Sequence, residues 1–242
     1  MKLVCAGASS AGNAFALQDL KGATLFLEAG VRFKEIEKQL AYNIDFTKAA
    51  LLVSHFHGDH ARHLPEYAER GIKCYSNEAV HEKYPACGII VPLRKYSFED
   101  FIVTAFEVEH DVLDFGYIIS HPEMGTLVFF TDAYNVPYVF QNVDHFLIEA
   151  NYDDNILNDA WIKGKIDKHQ RDRLMLSHFS IDNCISYLRE CHAENACSIT
   201  LTHLSSRNAD PNDFKERIEK AFGVETHIAK KGLNIELNKI GI

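Results

Sequence analysis

The run His55-Phe56-His57-Gly58-Asp59-His60 places three imidazoles and one carboxylate within six positions, directly behind the apolar segment Ala49-Ala50-Leu51-Leu52-Val53. Imidazole nitrogens and carboxylate oxygens are the donor atoms that divalent cations take from proteins, so this density of them points to a metal site. Alternate residues of an extended segment face the same way. His55 and His57 can therefore grip one cation while Asp59 and His60, just past the bend, reach a second. A surface loop without a ligand has no reason to gather such a set.

Two cations need more ligands than four residues supply, and the elements that would position the rest can be read further along the chain. Residues 101–108 read as a strand and lead to His110; residues 126–130 lead through Thr131 to Asp132; residues 197–202 lead to His203. Any one of these is an ordinary strand-end polar residue. Three in this order behind the first cluster are a ligand set.

The order resembles that of the metallo-β-lactamase-fold hydrolase superfamily, over nearly the whole chain. The resemblance implies an α/β fold, an αβ/βα sandwich of two mixed sheets flanked by helices with the site at one edge. It also implies that His55, His57 and His110 hold a first metal, that Asp59, His60 and His203 hold a second, and that Asp132 bridges both. His57 stands where the di-iron flavoprotein branch has a Glu, and Asp132 where true β-lactamases have a Cys, so the chain departs from both. Ser177-His178-Phe179-Ser180, upstream of Leu201-Thr202-His203-Leu204-Ser205, is similar to the phosphodiesterase side of the superfamily, which includes ribonuclease Z. There a non-ligand His acts as proton donor and a Glu after a strand orients it, which implies His178 and Glu149 in those roles; Asp59 completes the expected catalytic group. For His178 the residues alone leave a second reading open, a helix N-terminus capped by Ser180.

The opening Gly7-Ala8-Ser9-Ser10-Ala11-Gly12-Asn13 resembles the Gly-Ser-Ser-x-Gly-Asn start of the YycJ-type, exonuclease-like branch, with Ala8 where that start often has Ser. Leu27-Glu28-Ala29-Gly30 has Glu28 where the superfamily more often has Asp. Ser9, Ser10 and Asn13 are candidate substrate contacts, as is Arg207, four positions after His203. A Gly/Ser loop after a strand also reads as a tight structural turn.

The rest of the chain agrees with one globular domain over residues 1–242, with an apolar fraction of 47% to fill a two-layer core. No transmembrane run or signal peptide is evident, which makes the cytoplasm the expected location. Six cysteines without CxxC spacing read as reduced thiols. Helices are expected at 32–42, with Ile36 and Leu40 on one face, at 61–70, at 181–191, and at 210–222, with Phe214, Ile218 and Phe222 at helical spacing. Residues 155–175 mix Trp161, Lys163, Lys165, Lys168, Arg171 and Arg173 with acidic residues and read as a helical excursion beside the site, its charges favoured as a solvated face.

Two cations roughly 3.5 to 4 Å apart lower the pKa of a bridging water, present hydroxide to phosphorus and neutralise charge on the phosphoryl oxygens. That chemistry makes a phosphodiesterase acting on nucleic acid the leading expectation. A phosphodiesterase for small cyclic nucleotides is the runner-up, since the net charge of −9 offers a polyanion no overall attraction. A non-catalytic metal-stabilised module is the third. Zn²⁺ is the expected ion, with Mn²⁺ and Fe²⁺ compatible with the same donors, and a homodimer is compatible with the chain.

Overall fold

The apolar runs pair into two sheets of seven strands each in the computed structural model, which describes residues 1–239. The strands are β1 (Lys2–Ser9), β2 (Gly12–Gln18), β3 (Thr24–Leu27), β4 (Ala49–Leu52), β5 (Lys73–Ser76), β6 (Cys87–Ile89), β7 (Lys95–Phe98), β8 (Phe101–Val108), β9 (Asp114–His121), β10 (Gly125–Phe130), β11 (His145–Glu149), β12 (Ser198–Thr202), β13 (Glu225–Ile228) and β14 (Asn234–Glu236). The first sheet has the order β14-β1-β2-β3-β4-β5-β6 and the second β13-β12-β11-β10-β9-β8-β7. Both are mixed: β3 to β6 and β10 to β13 run parallel, and the remaining pairs are antiparallel. Parallel strands covered on both faces bury every side chain, and β3, β4, β11 and β12 are buried at each position.

The facing sides of the sheets share one core, in which Leu3, Phe15, Leu25 and Leu52 meet Val103, Tyr117, Leu127 and Phe129. Phe15 and Phe129 touch edge-on across it, 6.0 Å between centroids. Helices α1 (Phe33–Gln39), α2 (Gly58–Ala61), α3 (Leu64–Ala68) and α4 (Glu78–Lys83) cover the outside of the first sheet, where Phe26, Phe33 and Tyr67 form a buried aromatic triad. Two further helices, α5 (Asp154–Ile162) and α6 (Lys168–Met175), form an arm that buries Leu157 alone among its helical residues. Helices α7 (Ile181–Glu190) and α8 (Pro211–Phe222) cover the second sheet through Ile181, Leu188, Phe214, Ile218 and Phe222. This is the αβ/βα sandwich.

Three boundaries differ from expectation for local reasons. The helix expected at 61–70 is interrupted: α2 ends at Ala61 and α3 starts at Leu64, with Pro65, which lacks the N–H that would carry one ladder through, in the first turn of α3. The helix expected at 32–42 stops at Gln39, since Ala41 and Tyr42 take φ of 52° and 59°, in the left-handed region. The 155–175 excursion is two helices broken near Gly164, whose φ is 67°. All six cysteines are free thiols, and among the described residues no helix is long and apolar enough to cross a membrane.

Candidate metal centre

Strand direction explains why distant residues meet. Because β10, β11 and β12 are parallel and in register, with Phe130 beside Ile148 and Glu149 beside Thr202, their carboxyl ends deliver Asp132, Glu149 and His203 to one edge. β8 and β10 are both antiparallel to β9, so β8 delivers His110 to that same edge. From the first sheet, parallel β3 and β4 end at Leu27 and Leu52 and bring Glu28 and the 53–60 loop to face them. The loop is held by close backbone approach: Ala29 N–H donates to the His60 carbonyl at 2.6 Å, and a Cβ on Gly30 would lie 1.6 Å from the Asp59 carbonyl oxygen.

The seven expected ligands fall into two groups sharing Asp132. His55, His57, His110 and Asp132 form one, Asp59, His60, Asp132 and His203 the other, and within each group the donor atoms lie within 4.8 Å of one another. His55 Nε2 is buried without a hydrogen-bond partner among the described residues, 4.0 Å from Asp132 Oδ2. An orphaned imidazole nitrogen aimed into such a donor set is what a cation satisfies, so the residues fit divalent metal. Charge agrees. Burial pushes His55 down to about 3, which leaves it neutral as ligation requires. Burial also opposes a charge on His203, yet Asp132, Asp59 and Glu149 outweigh it and lift its pKa to about 10; His60 is driven upward likewise by Asp132 and Glu28. Protons on these rings balance the carboxylates, and a bound cation displaces them.

Two of the imidazoles are backed from behind. His55 Nδ1 lies 2.9 Å from Ser54 Oγ and 3.2 Å from Asp114 Oδ2, and His60 Nδ1 lies 3.4 Å from Glu28 Oε2. Carboxylates behind ligating histidines fix ring orientation and raise basicity. Glu28 is long enough for that contact and also accepts the Ser54 N–H at 3.2 Å. Glu28, Asp132 and His203 have φ of 67°, 52° and 55°, a left-handed backbone that non-glycine residues adopt at a cost of about 1 to 3 kcal/mol each. The strand-end side chains are thus turned inward by strained backbone.

His178 stands beside the second group, its ring stacked on His203 with centroids 5.3 Å apart. Its Nδ1 bonds Glu149 Oε1 at 2.7 Å, while Glu149 Oε2 accepts the Ala133 and Phe179 N–H groups. Burial lowers the His178 pKa, but the adjoining Glu149 carboxylate more than reverses this and the net direction is upward. Ser180 caps α7 through the Asn183 N–H, so cap and imidazole are separate features of one motif. The rings of His57, His110, His178 and His203 open into a cleft of about 340 Å³.

The other sequence candidates lie as follows. Ser10 lines the cleft; Ser9 Oγ accepts the Ala11 N–H within its own turn. Asn13 is buried, its amide reaching the Ser9 and Asp59 carbonyls and His60 Nε2, so it ties the β1–β2 hairpin to the metal loop and has no surface to offer a substrate. Arg207 is exposed and opens, with Lys165, onto a different depression. Residues not anticipated include Asp111, whose Oδ1 lies 2.9 Å from His110 Nε2, Asp114, and the Gln170, Arg173 and Ser177 wall of the cleft. Adjacency to His110 was the available signal for Asp111; the wall depends on how the arm folds. Elsewhere Asp19, Asp100 and His121 also cluster. There His121 Nδ1 accepts the Glu123 N–H and its Nε2 lies 3.5 Å from Asp19 Oδ2.

No family model matches the chain. It is similar to the exodeoxyribonuclease WalJ of Streptococcus pneumoniae, 27% identical over 223 residues, covering 82% of this chain and 80% of that protein. Among solved structures it superposes on the metallo-β-lactamase fold protein YhfI from Bacillus subtilis, with a TM-score of 0.73 at 16% identity over 97% of this chain and 98% of the other. The chain has the metallo-β-lactamase fold. Two more proteins of similar structure are the short form of human tRNase Z (TM-score 0.66, 15% identity, 98% and 99% covered) and Zn²⁺-bound PqqB from Methylobacterium extorquens (TM-score 0.69, 13% identity, 98% and 100% covered). On this metallo-β-lactamase fold, the strand ends and loops described above carry the candidate ligands.

Proposed function

We propose that this chain is a metal-dependent phosphodiesterase acting on nucleic acid, with His55, His57, His110 and Asp132 holding one divalent cation and Asp59, His60, Asp132 and His203 a second. When bound, such a pair supplies a nucleophile at neutral pH and neutralises charge on the phosphoryl oxygens. The observation that carries the reading is the 2.7 Å bond from Glu149 to His178 at the wall of a cleft shared with both ligand groups. With Nδ1–H donated to Glu149, His178 presents Nε2 to the cleft, where it gives a proton to the departing alkoxide. Glu149 holds the ring through Oε1 and is itself held by two backbone N–H groups on Oε2, so the donor is aimed before substrate arrives. The similarity to an exodeoxyribonuclease supports nucleic acid as the polymer.

The test compares leaving groups. His178→Ala in the metal-loaded protein should lower kcat on an alkyl phosphodiester by about 10²- to 10⁴-fold and much less on a nitrophenyl ester, whose anion needs no proton. Equal losses on both, with a lower Tm, would return His178 to a structural role. A small cyclic nucleotide is the second reading, favoured by the modest cleft volume and the net charge of −9.

A further inference from the structure

We propose that Arg173 grips the phosphate in the cleft and, with Gln170, restricts the site to a single nucleotide unit bearing one phosphodiester, a strand end or a free nucleotide diester. The proposal rests on the phosphodiesterase reading and narrows it. Three carboxylates, Asp59, Asp111 and Asp132, line the cleft, and Arg173 is its single Lys or Arg among the described residues. Three other cations of the arm are engaged, Lys163 with Asp159 and Lys168 and Arg171 with Asp172, Arg171 also lying over the Trp161 ring, while Lys165 faces away from the cleft. Arg173 has no carboxylate partner among the described residues and its side chain is exposed. A free guanidinium facing a hydrolytic centre is suited to a phosphate, whose oxygens match its planar fork.

The arm presents this group from an anchored turn. Asp167 and Gln170 close a capping box at the start of α6, and Ser177 Oγ donates to the Arg173 carbonyl at 2.9 Å. The Gln170 side-chain oxygen accepts the Asp167 N–H, which leaves its NH₂ to donate into the cleft. Leu174 adds apolar wall beside them. A cleft of about 340 Å³ is the size of a pocket for one small ligand. A grip along a polymer needs a track of cations, and Lys165 and Arg207 face a separate depression instead of extending one from Arg173.

The experiment measures the metal-loaded protein on thymidine 5′-(p-nitrophenyl phosphate), on linear and circular single-stranded DNA of one sequence, and on 3′,5′-cyclic mononucleotides. Arg173→Ala should raise KM for the small diester about 10- to 100-fold with a smaller change in kcat, Arg173→Lys should recover part of it, and Tm and metal content should hold. The plot of log kcat/KM on linear strands against log salt should have a slope of about −1 or shallower. Linear strands should be cut and circles spared, and the faster of linear strand and cyclic nucleotide identifies the source. A KM within twofold of wild type in Arg173→Ala, a slope of several units, or circles cut as fast as linear strands would overturn the proposal. If the wild-type protein cleaves none of these substrates the phosphodiesterase reading fails by itself; calorimetric binding of thymidine 5′-phosphate then decides for Arg173, since equal affinity in wild type and Arg173→Ala overturns it and a tenfold loss sustains it.

Discussion

Asp132 belongs to both ligand groups, and its position depends on a left-handed backbone that Asn tolerates better than Ala does. Substituting it separates charge from conformation. Asp132→Ala should abolish hydrolysis and lower metal content, because both groups lose a donor. Asp132→Asn should keep Tm within a few degrees while still losing activity, because the backbone is satisfied and the anion is gone. Metal analysis and melting curves on the two purified variants check this; two ions per chain with wild-type turnover in Asp132→Ala would refute a shared carboxylate. Legibility at this scale depended on residue type. His55, His57, Asp59 and His60 stand out because ligand chemistry concentrates them locally, whereas Asp114 and Asp111 look like any acidic residue near a strand end. Only the approach of Asp114 to His55 Nδ1, at 3.2 Å, shows what it does.

At the scale of elements, the metal loop is positioned by contact between backbones. Gly30 lies so close to the Asp59 carbonyl that any side chain must move the loop, and Asn13 bridges to that same carbonyl at 3.3 Å. Gly30→Ala should therefore weaken metal binding at the group containing Asp59 and His60 by at least tenfold while far-ultraviolet circular dichroism stays native. Titration of the apo-protein with Zn²⁺ checks it, and unchanged affinity would show that the loop gives way harmlessly. The arm is the opposite case. Asp167 and Gln170 show the α6 start locally, and the segment reads as an excursion beside the site, yet nothing local states that Gln170, Arg173 and Leu174 are the residues that wall the cleft. That depends on where β11 ends and α7 begins.

For the whole molecule, two sheets contribute to one site, so stability of their shared layer and integrity of the centre are linked. His145 on β11 makes this measurable away from the ligands. Burial lowers its pKa from 6.5 to about 4, an effect the nearby Asp144 only partly offsets, and its Nδ1 pairs with Ser198 Oγ at 2.8 Å. Its folded pKa lies below the unfolded one, so the neutral ring imposes no cost above about pH 6.5, and stability falls as pH drops toward 4 because the unfolded chain binds the extra proton. The loss should approach about 1.4 kcal/mol per pH unit across that window. His145→Gln should flatten that part of the profile; urea unfolding at pH 7 and pH 5 tests it, and parallel profiles for both proteins would exclude His145 as the cause.

The sequence alone picked out the seven candidate ligands that the fold brings together, because metal coordination demands particular donor types and strand ends are where apolar runs stop. Tertiary structure alone decided which residues back the imidazoles, that Asn13 braces the loop from inside, that Arg207 faces away and that Arg173 faces in. Those outcomes follow from the relative placement of β3, β4 and the arm against β10 to β12. A one-dimensional pattern records how often a side chain is buried, but not which distant surface it meets.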